Sequence, residues 1–82
     1  MEQFEQAVLE SKNIAERPSN ETLLALYSLY KQATEGDCNA EPPSNPFDFV
    51  AKAKQNAWIE LKGTTKENAM QQYINLIEKL KV

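Results

Sequence analysis

Eighty-two residues make one small domain, too small to keep its core and its working surface far apart. The formal net charge of −3 excludes a general nucleic-acid binder, which needs a dominant basic surface to neutralise phosphates, but leaves room for one anionic small molecule on a local basic cluster. With no histidine and a single cysteine, Cys38, histidine metal sites, histidine triads and intramolecular disulfides are ruled out.

The opening MEQFEQAVLE has no basic n-region, so a secretory or transit leader is not expected. Glu2 stands where N-myristoylation needs glycine. No apolar run approaches the roughly 20 residues that cross a bilayer, so no stable membrane insertion is expected. The lone cysteine fits a reducing compartment, and the expectation is a cytoplasmic protein.

Four segments carry a helical period, and none alternates at period two, so the expected class is all-α. Residues 3–16 form the first helix, with Phe4, Ala7, Val8, Ser11, Ile14 and Ala15 on one stripe. Ser11 puts a hydroxyl in that stripe and is expected to bond its own helix backbone. Pro18 ends the segment. The second helix runs over about residues 20–35, capped by Ser19 or Asn20 at its start and by Gly36 at its end.

GDCNAEPPSNP follows, with three prolines and no periodicity. At about 3.3 Å per residue it can cover more than 30 Å, so the chain can travel back beside the second helix and the third can run parallel to it. The third helix spans roughly 47–62, with Asp48 in its first turn, Val50, Ala53, Ala57 and Leu61 facing the core, and Gly63 closing it. Trp58 reads as a structural side chain. Thr64 with Glu67 three residues on forms a capping-box pattern. It opens a fourth helix striped by Ala69, Met70, Tyr73, Ile74, Ile77 and Leu80. Alone, Tyr73 reads as a core tyrosine with a bonded hydroxyl.

The second helix is too wide in its chemistry. On a helical wheel Leu26, Leu29 and Ala33 define one arc, Tyr30 borders it, and Leu23, Tyr27, Lys31 and Leu24 continue around the cylinder. The combined arc spans about 220°, where a core stripe needs only a little over 100°. Ala25, Ser28 and Gln32 are left as the solvent face. Tyr27, Tyr30 and Lys31, spaced i, i+3, i+4, stack two rings beside a cation. That set is either ordinary packing or a seat for something planar and anionic. Lys54, at the edge of the third helix's core arc, and Lys12, beside Val8, admit the same two readings, with rim snorkelling as the plainer one.

YKQATEGD, PFDFVAKAKQNAWIELKG and KENAMQQYI closely resemble the acyl-CoA-binding protein family, also called diazepam-binding inhibitor. The likeness runs from Phe4 through the last helix. The motif Y-x-x-Y-K-Q-A-T-x-G-D, followed by K-A-K and A-W-x-x-L-K-G, is highly specific. The resemblance implies one acyl-CoA-binding domain over residues 1–82, folded as a four-helix bundle with an up-down-down-up path. It implies reversible binding of long-chain fatty acyl-CoA esters for transport, buffering and protection, by a monomer without cofactor or catalysis.

By motif position the resemblance places Tyr27, Lys31 and Lys54 on the ribose 3′-phosphate, Tyr30 against adenine and Tyr73 at the same nucleotide site. Lys12 matches a position associated with the CoA phosphates, and Val8, Leu23 and Leu24 match the acyl-chain path. Three positions depart from the pattern. Gln55 replaces a tryptophan common after K-A-K, PPSNPF looks one residue longer than usual, and Ser11 stands where an aliphatic residue is common. Two other classes of function are compatible with the residues themselves. One is a helical module gripping a partner peptide with the Tyr27/Tyr30 face; the other is an acyl-CoA hydrolase or transferase, against which stands the want of any activated nucleophile or matched acid–base pair.

Overall fold

The computed structural model describes residues 2–14, 18–39, 41, 45 and 47–80. Four α-helices carry the chain: α1 (Glu2–Glu10), α2 (Asn20–Glu35), α3 (Phe49–Ile59) and α4 (Lys66–Leu80), with a 3-10 turn at Ser11–Asn13 after α1. No strand occurs among the described residues. No described helix is long and apolar enough to cross a membrane.

The path follows from which ends meet. The start of α2 (Asn20, Leu23, Leu24) lines one cavity with the start of α3 (Phe49, Val50, Ala53). At the far end, Trp58 Nε1 donates to Gly36 O at 2.8 Å. Helices α2 and α3 therefore run parallel, as the long connection permits. Thr64, just before α4, meets Gln32 near the end of α2, so α4 runs back along α2. Gln3 and Phe4 lie with Glu67, Met70 and Gln71, while Ala7 and Glu10 lie with Ile74 and Glu78, which aligns α1 with α4. The path is up-down-down-up.

The core lies where α2 and α4 meet and α1 closes over them. Phe4, Ala7, Leu26, Leu29, Ala33, Ala69, Tyr73 and Ile77 are buried in one cluster, and Val8, Ile14, Leu61, Met70, Ile74 and Leu80 pack against it. The i, i+3, i+4 stripes read from α1, α2 and α4 are thus the buried faces. Ala15, also placed on the first stripe, lies outside the described residues.

Several boundaries differ from expectation for local reasons. The α-helix of α1 stops at Glu10 rather than near residue 16. The Ser11 hydroxyl donates to Val8 O at 2.6 Å, the backbone bond expected of it, and the next residues tighten into 3-10 geometry. In α2 the cap is Ser19, whose Oγ accepts from Thr22 N. Gly36 N donates to Gln32 O, and Gly36 takes φ 81°, ψ −151°, a region open to glycine and few others.

Helix α3 starts two residues later than expected, because Asp48 is the cap itself and accepts from Ala51 N at 3.0 Å. It ends at Ile59 and passes into turns through Gly63. Val50 does not face the core and is 66% exposed. Ala53, Ala57 and Leu61 are half-buried. At α4 the cap is Thr65, whose Oγ1 accepts from Asn68 N at 3.1 Å. Thr64 is drawn into the preceding turn by its N–H to Leu61 O and its carbonyl to Gln32. Glu67 thereby sits in the first turn of α4, against the positive dipole end.

The largest correction concerns α2. Ser28 and Gln32, assigned to solvent, are buried, Gln32 completely. Helix α2 is the central helix and packs against both α3 and α4, so its covered arc is wider than one stripe. Ser28 satisfies its hydroxyl on Ala25 O. Gln32 Nε2 donates to Asp37 Oδ1 at 2.8 Å and to Thr64 O at 2.7 Å, and the same Oδ1 accepts from Gly63 N at 2.9 Å. Gln32 and Asp37 of Q-A-T-E-G-D thus clamp the end of α2 to the turn before α4.

The Gly63 and Gln32 hydrogen bonds hold the Asp37 carboxyl below its ordinary range, with Lys62 adding a smaller push in the same direction. A depressed folded-state pKa adds stability above the unfolded value, and that contribution disappears as pH falls through the folded value. Melting temperature is therefore expected to fall in acid below about pH 4, and less steeply in Asp37→Asn. Thermal scans of both proteins from neutral to acid check this; parallel curves would exclude Asp37 from the acid response.

Candidate functional site

Helix α2 presents three groups of side chains along the face the core leaves open. At its start, Leu23, Leu24 and Tyr27 (i, i+1, i+4) face Phe49, Val50, Ala53 and Lys54 of α3 across an open, largely apolar cavity of about 660 Å³, with Asn20 at its edge. The parallel course of α2 and α3 makes this cavity, because it sets two apolar edges side by side at the ends where each helix begins. Lys54 Nζ stands over the Tyr27 ring, 5.3 Å from its centroid. A cation over a ring face is attracted by the π quadrupole without losing its charge, so the cavity's apolar wall ends in an available ammonium.

One turn further on is Lys31. Its Nζ stands 5.4 Å from the Trp58 ring centroid and donates to Glu35 on the same helix. That hydrogen bond is the main cause of a Lys31 pKa above the ordinary lysine value, so the group is an ammonium throughout the physiological range. The third group is aromatic. Tyr30 stacks on Phe4 at 6.1 Å, Phe4 meets Tyr73 edge-on at 5.3 Å, and Tyr30 and Tyr73 are tilted at 6.5 Å. Tyr73 is buried while Tyr30 is 41% exposed. Tyr30 thus offers a ring to solvent from a rigid aromatic base.

Of the residues singled out from sequence, Leu23, Leu24, Tyr27 and Lys54 come together at the cavity. Lys31 and Tyr30 lie one turn on along α2, and Tyr73 supports Tyr30 from below. Lys12 is exposed on the 3-10 turn, and Val8 packs half-buried against the core; neither lines the cavity. Sequence reasoning missed Phe49 and Val50 as cavity walls, though they bear the i, i+1, i+4 relation to Ala53 that Leu23 and Leu24 bear to Tyr27, with Lys54 one residue further on. It gave Trp58 a structural place, which its burial and its bond to Gly36 bear out, but not its second place beneath Lys31. Gln55 donates to Glu41 O at 2.8 Å, so the side chain that departs from the aromatic pattern ties α3 to the loop. The PPSNP part of that loop lies mostly outside the described residues. No cluster of side chains able to hold a metal ion occurs among the described residues.

The sequence matches the family model described as acyl-CoA-binding protein across residues 1–77. The chain belongs to the acyl-CoA-binding protein family. It is similar to the acyl-CoA-binding protein of Dictyostelium discoideum, 50% identical over 80 residues that make up 98% of this chain and 94% of that one. The acyl-CoA-binding protein family also extends into longer chains. Enoyl-CoA delta isomerase 2 of Rattus norvegicus is 48% identical over 77 residues, 94% of this chain but 19% of the isomerase. Among solved structures, acyl-CoA-binding protein 2 of Oryza sativa superposes with a TM-score of 0.89 at 38% identity, covering 96% of this chain and 87% of that one. The four-helix bundle derived above is therefore the acyl-CoA-binding protein fold.

Proposed function

We propose that this protein binds long-chain fatty acyl-CoA esters reversibly, with the nucleotide end on α2 and the acyl chain in the cavity between α2 and α3. The observation that carries this reading is the adjacency of an apolar cavity of about 660 Å³ to the Tyr27–Lys54 pair that closes one side of it. A molecule with an oily tail and a charged head meets both demands at once.

Tyr27, Lys31 and Lys54 take the ribose 3′-phosphate, by phenolic and ammonium donors whose bonds to charge are worth about 1.5–3 kcal/mol each. Tyr30 stacks on adenine with its exposed ring, and Tyr73 is the floor beneath it. Lys12, exposed on the 3-10 turn, reaches the CoA phosphates as a long flexible arm. Leu23 and Leu24 cover the acyl chain, Phe49, Val50 and Ala53 face it from α3, and Val8 offers only its exposed edge. Burying a dozen methylenes supplies on the order of 10 kcal/mol before ordering costs.

The protein acts by sequestering the thioester without converting it, since nothing in the site activates a nucleophile or pairs an acid with a base. A monomer in a reducing compartment such as the cytoplasm agrees with the single cysteine. Transport, buffering and protection of the thioester follow from such sequestration.

Calorimetric titration tests the reading. Long-chain acyl-CoA is expected to bind at least about a hundredfold more tightly than free CoA or free fatty acid, because only the ester engages both halves of the site. Similar affinities for all three ligands would refute it, and release of free CoA during the titration would point to a hydrolase instead.

A further inference from the structure

Lys31 is already engaged in the free protein. Its Nζ donates to Glu35 Oε2, one helical turn along α2, while the Trp58 ring lies against the same ammonium. Trp58 is fixed independently, by burial and by its Nε1–H on Gly36 O at 2.8 Å. Lys31 therefore has a seat that does not depend on the carboxylate. Glu35 is exposed and fills the open position of A-T-x-G-D, a position to which the motif assigns no role.

We propose that Glu35 sets the affinity of the phosphate end of the site: its carboxylate is an internal counter-ligand that occupies Lys31 until a phosphate dianion displaces it. This rests on Lys31 being a phosphate-binding group, as argued above. An anion arriving at Lys31 must take the ammonium from a carboxylate. A monoanion makes an even exchange and gains nothing. A phosphate monoester carries about −1.5 to −2 at neutral pH and brings three acceptor oxygens, so it outcompetes the carboxylate. The pair it breaks is an exposed i, i+4 pair, a weak one. Once displaced, the carboxylate stays tethered one turn away and repels the dianion through solvent. Glu35 thus lowers affinity for a ligand whose phosphate must take Lys31, and leaves a ligand without that phosphate nearly unaffected.

Four proteins decide the matter: wild type, Glu35→Gln, Lys31→Ala and the double variant. Each is titrated calorimetrically with palmitoyl-CoA and with 3′-dephospho-palmitoyl-CoA, after its unfolding midpoint has been measured. Glu35→Gln is expected to bind palmitoyl-CoA about three- to tenfold more tightly than wild type. The 3′-dephospho ligand is expected to change little, and the gain is expected to vanish when Lys31 is alanine. Unchanged or weaker binding by Glu35→Gln overturns the proposal, as does an equal gain for both ligands or a gain that persists without Lys31. Wild type that binds neither ligand overturns the acyl-CoA reading itself, an outcome distinct from wild type that binds while Glu35→Gln shows no gain.

Discussion

Replacing Lys31 with alanine is expected to weaken binding of long-chain acyl-CoA and of free CoA alike, by about ten- to a hundredfold, with the fold intact. The magnitude is that of one or two charge-assisted hydrogen bonds to phosphate. Both ligands suffer because the loss falls on the nucleotide end they share. The fold survives because Lys31 contributes only a surface pair with Glu35 and a ring contact with Trp58, and Trp58 keeps its burial and its bond to Gly36 without it. Calorimetry with both ligands, beside a melting curve, checks the claim. An unchanged dissociation constant would remove Lys31 from the site, and a loss confined to the acylated ligand would put it at the wrong end.

Gln32→Ala is expected to act in the opposite sense, on stability first. Its side chain is wholly buried and supplies two donor bonds, one to a carboxylate and one to the Thr64 carbonyl. Truncation leaves both acceptors short of a partner and opens space between α2 and the turn before α4. A cost of about 3 kcal/mol follows, and for a chain this short that is a fall of more than about 10 °C in melting temperature. Urea unfolding of the variant beside wild type measures it, and a difference under about 1 kcal/mol would show the clamp to be dispensable.

These two neighbours on α2 show what the sequence made legible. The place of Lys31 could be read from i, i+3, i+4 spacing, because Tyr27, Tyr30 and Lys31 are close in the chain and helix geometry alone brings them together. The burial of Gln32 could not. Its decisive partner, the Thr64 carbonyl, is 32 positions away, and a helical wheel holds no record of which other helix arrives against a polar position. The α2 caps at Ser19 and Gly36 were readable for the same local reason. The cap at Thr65 rather than Thr64 was not, because the contact that withdraws Thr64 also comes from α2. Val50 failed in the other direction. Its apolar side chain suggested core, yet α3 turns that edge toward the cavity, where an apolar residue serves a guest as well as it would a core. The acyl-CoA-binding motif made the family legible, and the i, i+4 spacing of Lys31 and Glu35 was open to the same local reading, whereas the Trp58 contact of Lys31 comes from α3 and appeared only in three dimensions.

The central position of α2 has a consequence for how the chain can vary. Leu26, Leu29, Ala33, Ser28 and Gln32 hold it against two neighbours, and Leu23, Leu24, Tyr27, Tyr30 and Lys31 occupy most of the surface that remains. A loaded protein would leave that cylinder with almost no idle side. Random substitutions should therefore be tolerated least along Asn20–Glu35, while the outward positions of α4, such as Gln71, Gln72 and Asn75, remain open to drift.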